Sequence, residues 1–321
     1  MFKSLRAHPL ARPLAIFLGC FALLALADRG AGNVLSSATA FSMLETFATG
    51  ALVALGLGLA MMIREFDLSV AGVFSLAGCL MALIGPEDPR LAFAAALAAG
   101  VLVGAAQGLI IVRLRLSSVG VTLGGLLTCV GLAYVLTENR SLPYDNLEAT
   151  MAVTRRLWGV FSLRSLVSVA IVALVAIVFG ATRWGREVIA MGSDRRAATT
   201  AGVPVAGLLV AIFAFSGFCA ALSGAMLTMA LATAAASGLS DVIPPAAAAA
   251  ILGGVSLAGG TGRPLGIALG VLTLGLLRAG LNALGAPPFI NDVALGAILL
   301  AVGVLDGPEI ARRLAAFGGR G

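Results

Sequence analysis

The sequence predicts an all-α polytopic membrane protein with about ten transmembrane helices. Three observations carry this. Of its 321 residues, 60% are hydrophobic and only 11% charged. The mean hydropathy is +1.06, far from the balance a soluble domain needs on its surface. Ten apolar runs follow one another with short connections, most of them near the roughly 20 residues a helix needs to cross a bilayer core. The chain therefore reads as a single transmembrane domain over 1–321, with little length left for a soluble one.

The first run, 14–27, follows a basic arm (1–13) and ends in Ala25-Leu26-Ala27, which resembles a cleavage site. Removing it would leave an odd number of spans and reverse the charge parity described below, so it is taken as a span. Runs 41–63 and 66–84 are divided by a polar break containing Arg64, Glu65, Asp67 and Ser69. Here Asp67 or Ser69 is expected to cap the next helix by accepting its orphan N–H groups, a role favoured over substrate contact. Runs 91–113 and 117–137 follow, the first with Gly100, Gly104 and Gly108 at four-residue spacing. Such faces let helix backbones approach closely in lipid. Run 165–181 leads to a loop over 183–204. Run 206–231 is long, and 242–258 is rich in Gly and Ala, so a broken or re-entrant segment is expected between 232 and 260. Gly262, Gly266 and Gly270 show the same four-residue spacing and are expected to share one helix with run 264–281. Residues 242–270 are expected to bend and to pack near a subunit interface. Run 290–305 precedes a tail over 306–321, and no internal repeat is visible.

With the N-terminus in the cytoplasm, 14 of the 21 basic residues fall on the cytoplasmic side. The positive-inside rule then places both termini there. These charges sit in short loops and form no basic stripe, which argues against a nucleic-acid partner. The lone lysine is Lys3, so no phosphate-binding GxxxxGK[ST] loop exists in this chain. The lone histidine is His8, which leaves serine hydrolysis without a general base and removes the usual zinc sites. No catalytic residue, metal site or cofactor is expected. Cys20, Cys79, Cys129 and Cys219 lie in separate apolar runs and read as small buried hydrophobes. Glu45, Glu65, Asp67, Asp241, Asp292 and Asp306 all fall near run ends, leaving neutral groups such as Ser75, Gln107, Thr128 and Thr228 mid-run. Proton relays and ion-coupled carriers usually carry ionisable groups at mid-depth, so this pattern suits a neutral, hydroxyl-rich solute better.

The loop from Gly185 to Pro204 contains Ser193-Asp194, two cap-type residues. Helix formers follow through Ala201, with Gly202 and Pro204 as stops. This is either a connector or a docking element for a cytoplasmic partner. The segment resembles the coupling helix of ATP-driven (ABC) importer permeases of the ribose, xylose and galactose type, which carries Glu-Ala-Ala followed by Gly. FDLSVAGVFSLAG (66–78) is similar to that family's Ile-Asp-Leu-Ser-Val-Gly segment, VTLGGLLTCVGLAYVLT (121–137) to its Thr-Leu-Gly span, and AAAAAILGGVSLAGGTGRPLGIALG (246–270) to its glycine signature. Two departures stand out. Arg64-Glu65 replaces small residues before the Asp-Leu-Ser, and Arg196 stands where the family has the glutamate.

The resemblance implies a permease subunit in the bacterial inner membrane that pairs with a second permease, a cytoplasmic ATPase holding ATP and Mg, and a periplasmic solute-binding protein. It implies a coupling role for Ser193, Asp194, Arg195, Arg196, Ala197, Ala198 and Gly202. Asp67, Ser69, Gly253, Gly254, Ser256, Gly259 and Gly260 are candidates for the helix break and the pathway. The solute would be a monosaccharide or polyol. Alternatives are a permease for branched-chain amino acids or another small solute, or a secondary carrier needing no ATPase.

Overall fold

A computed structural model describes residues 10–236 and 242–300. The N-terminal arm through residue 9 with Lys3 and His8, Asp241, and the tail 306–321 with Asp306 lie outside the described residues.

The described chain forms helices α1 (Ala11–Ala27), α2 (Ser37–Met62), α3 (Ser69–Ile84), α4 (Pro89–Leu114), α5 (Ser118–Thr137), α6 (Leu147–Thr154), α7 (Leu163–Ala181), α8 (Arg183–Ser193), α9 (Arg195–Thr200), α10 (Val205–Leu231), α11 (Ile243–Leu252), α12 (Pro264–Ala283) and α13 (Phe289–Leu300). Six of them, α2, α4, α5, α7, α10 and α12, are long and apolar enough to cross a membrane, whereas α1, α3, α11 and α13 are shorter apolar helices. The fold is that of an all-α polytopic membrane protein. Among the described residues two short strands, β1 (Leu142–Pro143) and β2 (Thr233–Ala234), pair antiparallel with Leu142 opposite Ala234.

Burial orders the bundle. Every residue from Ala51 to Met62 of α2 and from Ser69 to Cys79 of α3 is buried, so these helices are enclosed all round, as a helix apolar on every face must be. Around them α10 packs against α2, α3 and α4, α12 against α2, α5 against α3, and α7 against α2, while α1 lies on α12. Helices α5 and α7 leave most of their surface outward.

Glycine sets the closest approaches. A Cβ at Gly217 of α10 would lie 2.0 Å from the Gly100 carbonyl oxygen, and one at Gly104 would lie 2.1 Å from that of Phe213. The Gly100-Gly104-Gly108 face is thus the seam between α4 and α10, within one chain. In the second set, Gly266 packs on Gly253, and Gly270 lies beneath the Ala249 carbonyl, where a Cβ would come within 1.9 Å. Gly262 is not on that helix, because Pro264 starts α12 and Gly262 remains in the preceding loop.

Run 206–231 is one continuous 27-residue helix, α10. Run 242–258 is not one helix. Helix α11 has 10 residues, about 15 Å at 1.5 Å per residue, half a bilayer core. It stops because Gly254 takes a left-handed φ of +88°. That lets the Val255 and Gly254 N–H groups turn back onto the Ala250 and Ile251 carbonyls. Among the described residues α11 is therefore a short half-helix followed by a non-helical turn over 253–263.

Candidate functional site

Three segments meet at the end of the bundle that gathers Arg12, Arg64, Arg115, Arg186, Arg195 and Arg263. The first is α8–α9. Thr182 caps α8 by accepting from the Trp184 N–H at 3.2 Å, and the helix buries Val188, Met191 and Gly192 while its arginines face outward. The chain then turns at Asp194, whose carboxylate accepts from the Arg196 and Ala197 N–H groups at 2.8 and 3.0 Å and starts α9. Those two amides hold the Asp194 carboxyl below its ordinary value. The cap is therefore intact at neutral pH and is lost only as pH falls through that lowered value. Gly202, at φ +84°, closes α9, the Gly202 and Val203 N–H groups donating to Thr199 and Ala198.

The second segment is the end of α2. Arg64, itself at φ +63°, donates to the Ser193 carbonyl at 2.7 Å. Arg195 pairs with Glu65 at 2.6 Å and also reaches the Ile63 carbonyl at 3.3 Å. The third is the turn 253–262, where the Gly260 N–H donates to the Met62 carbonyl at 2.8 Å. Gly192 fits between them, for a Cβ there would fall 1.9 Å from the Met62 oxygen and 2.6 Å from the Gly260 nitrogen. These contacts fasten α8–α9, the α2 terminus and the glycine turn into one unit.

The coupling and pathway candidates named from sequence all fall among the described residues. Arg195, Arg196 and Ala197 are exposed on α9, whereas Ala198 is 4% exposed and packs inward on its own chain. Gly259 and Gly260 lie against Arg64 and Ser193, and Gly253 lies against α12. Ser256 closes the turn, accepting from the Ala258 N–H at 3.1 Å. Gly254 provides the bend after α11. Of these, Gly259 and Gly260 form the seat of α8–α9. Asp67 and Ser69 stand apart, at the entry to α3. One Asp67 oxygen accepts from the Ser69 N–H and hydroxyl at 3.0 and 2.6 Å, and the side chain is completely buried.

Sequence reasoning missed three features. Ser118 and Thr122 of α5 brace the α2–α3 break, accepting from the Phe66 and Leu68 N–H groups at 3.2 and 3.1 Å. Their four-residue spacing at the start of an apolar helix was the available signal. The helical character of 183–193 was missed too. Third, Glu45, placed near a run end by the sequence, has a buried partner. It lies two turns into α2, paired at 3.1 Å with Arg164, which is itself 4% exposed. Ser162 donates to the same carboxylate, and Arg164 also donates to Thr49 at 2.6 Å. Asp67 does stand at a helix end, two residues before α3, but it is buried there because neighbouring helices close over it.

Comparison with known proteins extends the picture. The sequence profile of the family described as branched-chain amino acid transport system / permease component matches residues 39–303. The chain is 29% identical to the ribose import permease protein of Bacillus subtilis (strain 168) over 309 residues, covering 95% of each. It is 30% identical to the ribose import permease protein of Escherichia coli (strain K12), over 88% of this chain and 90% of that one. Against the L-arabinose transport system permease protein of the same strain identity is 31%, over 85% and 82%.

Proposed function

Since the chain belongs to the family of branched-chain amino acid transport system permease components, we propose that it is the membrane-spanning permease subunit of an ATP-driven importer for a monosaccharide or related polyol. One observation carries the choice of solute: the likeness to import permeases for ribose, arabinose and fructose runs along nearly the whole chain. It is a transport subunit and not an enzyme, and ATP is hydrolysed by a separate chain. In the assembly two permeases form the pathway between them, a periplasmic binding protein delivers and largely selects the solute, and the ATPase binds ATP and Mg. Closure of the ATPase pair shifts the permease pair between inward- and outward-facing states. The segment Ser193–Gly202 receives that motion, and its contacts with Arg64 and Glu65 pass it to α2 and the α2–α3 break. Proteoliposomes holding the chain with its ATPase and binding protein are expected to take up labelled ribose, arabinose or fructose only with ATP inside. Uptake by the chain alone, without the ATPase, would make it a carrier instead.

On the same reading, the arginine-rich end faces the cytoplasm and each of the ten apolar helices crosses the inner membrane once, α11 with the non-helical chain beside it. Both termini are then cytoplasmic. Alkaline phosphatase fused after Gly321 is expected to be inactive, and a fluorescent protein fused there to fold. An active phosphatase would reject the even number of crossings.

A further inference from the structure

On the arginine-rich end, beside the seat of α8–α9, lies a groove of about 760 Å³. Arg12 of α1, Arg186 of α8 and Arg263 just before α12 line it, three guanidiniums from three separate parts of the chain. Among the described residues no carboxylate pairs with Arg186 or Arg263. Gly185 in the first turn of α8 and Arg263, the residue before α12, are both part of the groove lining. Arg263 gives α12 no side-chain cap, and Pro264 at its first position has no N–H. Guanidiniums from three parts of the chain converge on one space beside the starts of α8 and α12, the arrangement that favours an anion with several oxygens. The rest of the lining is Pro13, Phe179, Ile189, Ala190, glycines and one hydroxyl residue, Thr261.

The surroundings point to the source of the anion. The groove adjoins the start of α1 and the end of α7, both packed on α12. Beyond the groove, Leu14 and Leu18 of α1 and Leu174 and Ile177 of α7 are exposed, the last two at 60% and 65%. A basic recess at the ends of helices whose exposed faces are apolar matches an amphiphile with a phosphate head and acyl chains. A free anion would leave that surface unused.

We infer that this groove binds the phosphate headgroup of an anionic phospholipid of the inner leaflet, Arg186 and Arg263 holding the phosphate while the acyl chains lie along α1 and α7. This rests on the proposed function only for which leaflet the groove meets. Lipid binding is read without solute, ATPase or ATP, so its failure and the failure of the transport reading are separate results.

The full-length permease, purified in detergent, is titrated with dioleoylphosphatidylglycerol, with dioleoylphosphatidylcholine and with inorganic phosphate. Bound lipid is counted by native mass spectrometry. Phosphatidylglycerol is expected to be retained well above phosphatidylcholine, and inorganic phosphate to displace little of it. Arg186→Gln with Arg263→Gln is expected to weaken phosphatidylglycerol retention roughly thirtyfold, two surface cations' worth of attraction. The charge-keeping pair Arg186→Lys with Arg263→Lys guards against altered insertion, and is expected to lose only part of the binding because it loses the two-pronged contact. Equal retention of the two lipids, or retention unchanged in the glutamine pair, would overturn the site. So would an equal loss when Arg113→Gln and Arg115→Gln are made instead, since that would reduce the effect to general surface charge. Full competition by inorganic phosphate would overturn the lipid assignment.

Discussion

Gly217→Leu is expected to prevent the bundle from forming, or to lower its stability by at least about 3 kcal/mol, the upper range for forcing bulk into a packed interior. The reason is that the atom met is backbone. A Cβ at Gly217 would sit 2.0 Å from the Gly100 carbonyl oxygen and 3.4 Å from the Gly104 nitrogen. No rotamer relieves this, so α4 and α10 must separate. Separation would open the contacts Gly104 makes with Phe213 and Gly108 with Val210 along the same seam. Gly120→Leu on α5 is the matched control, because a Cβ there meets nothing within 4 Å. Thermal unfolding of the solubilised protein can be followed with a thiol-reactive dye, since Cys79, Cys129 and Cys219 are buried until the bundle opens. Leucine at Gly217 melting within a few degrees of wild type would show that the seam yields, and would reject the argument.

That seam was legible in sequence, because four-residue glycine spacing has one physical use in a lipid-embedded helix. The break between α10 and α12 was legible too, from glycine and alanine density, although the stop at Leu252 came from one left-handed glycine, Gly254. Asp194 and Gly202 announced the ends of α9 because capping chemistry is local. The features that sequence did not yield are all non-local. Helix α8 has a polar outward face that masks its burial of Val188 and Met191. The Glu45–Arg164 pair joins residues 119 apart in sequence, and nothing near either of them signals the other. Ala197 and Ala198 are alike in sequence, and only the direction in which α9 packs separates them.

That separation decides how the coupling role is tested. Ala197→Trp in the assembled transporter is expected to cut solute uptake at least tenfold, while the permease still inserts and the ATPase still turns over. Ala197 is exposed on α9, between Asp194, which caps the helix, and Gly202, which ends it. A helix that seats in a groove of a soluble partner needs small side chains where the surfaces close, and tryptophan there holds them apart. A tenfold loss corresponds to about 1.4 kcal/mol of lost contact, modest for a bulky residue at a closed interface. Ala198→Trp is a different experiment. Ala198 is 4% exposed, so tryptophan there would lift α9 off its own chain and confound docking with folding. Glu65→Arg supplies the complementary reading. It replaces the 2.6 Å pair with Arg195 by repulsion and loosens the seat without touching the outward face. Uptake is expected to fall, and to recover when Arg195→Glu is added, since the swapped pair restores the attraction. The opposing account is a solvated basic loop that only obeys the positive-inside rule. On that account tryptophan at Ala197 changes nothing. Normal uptake with normal assembly in Ala197→Trp would therefore remove α9 as the contact, whereas lost uptake with continuing ATP turnover would place the break at the surface where α9 meets the ATPase.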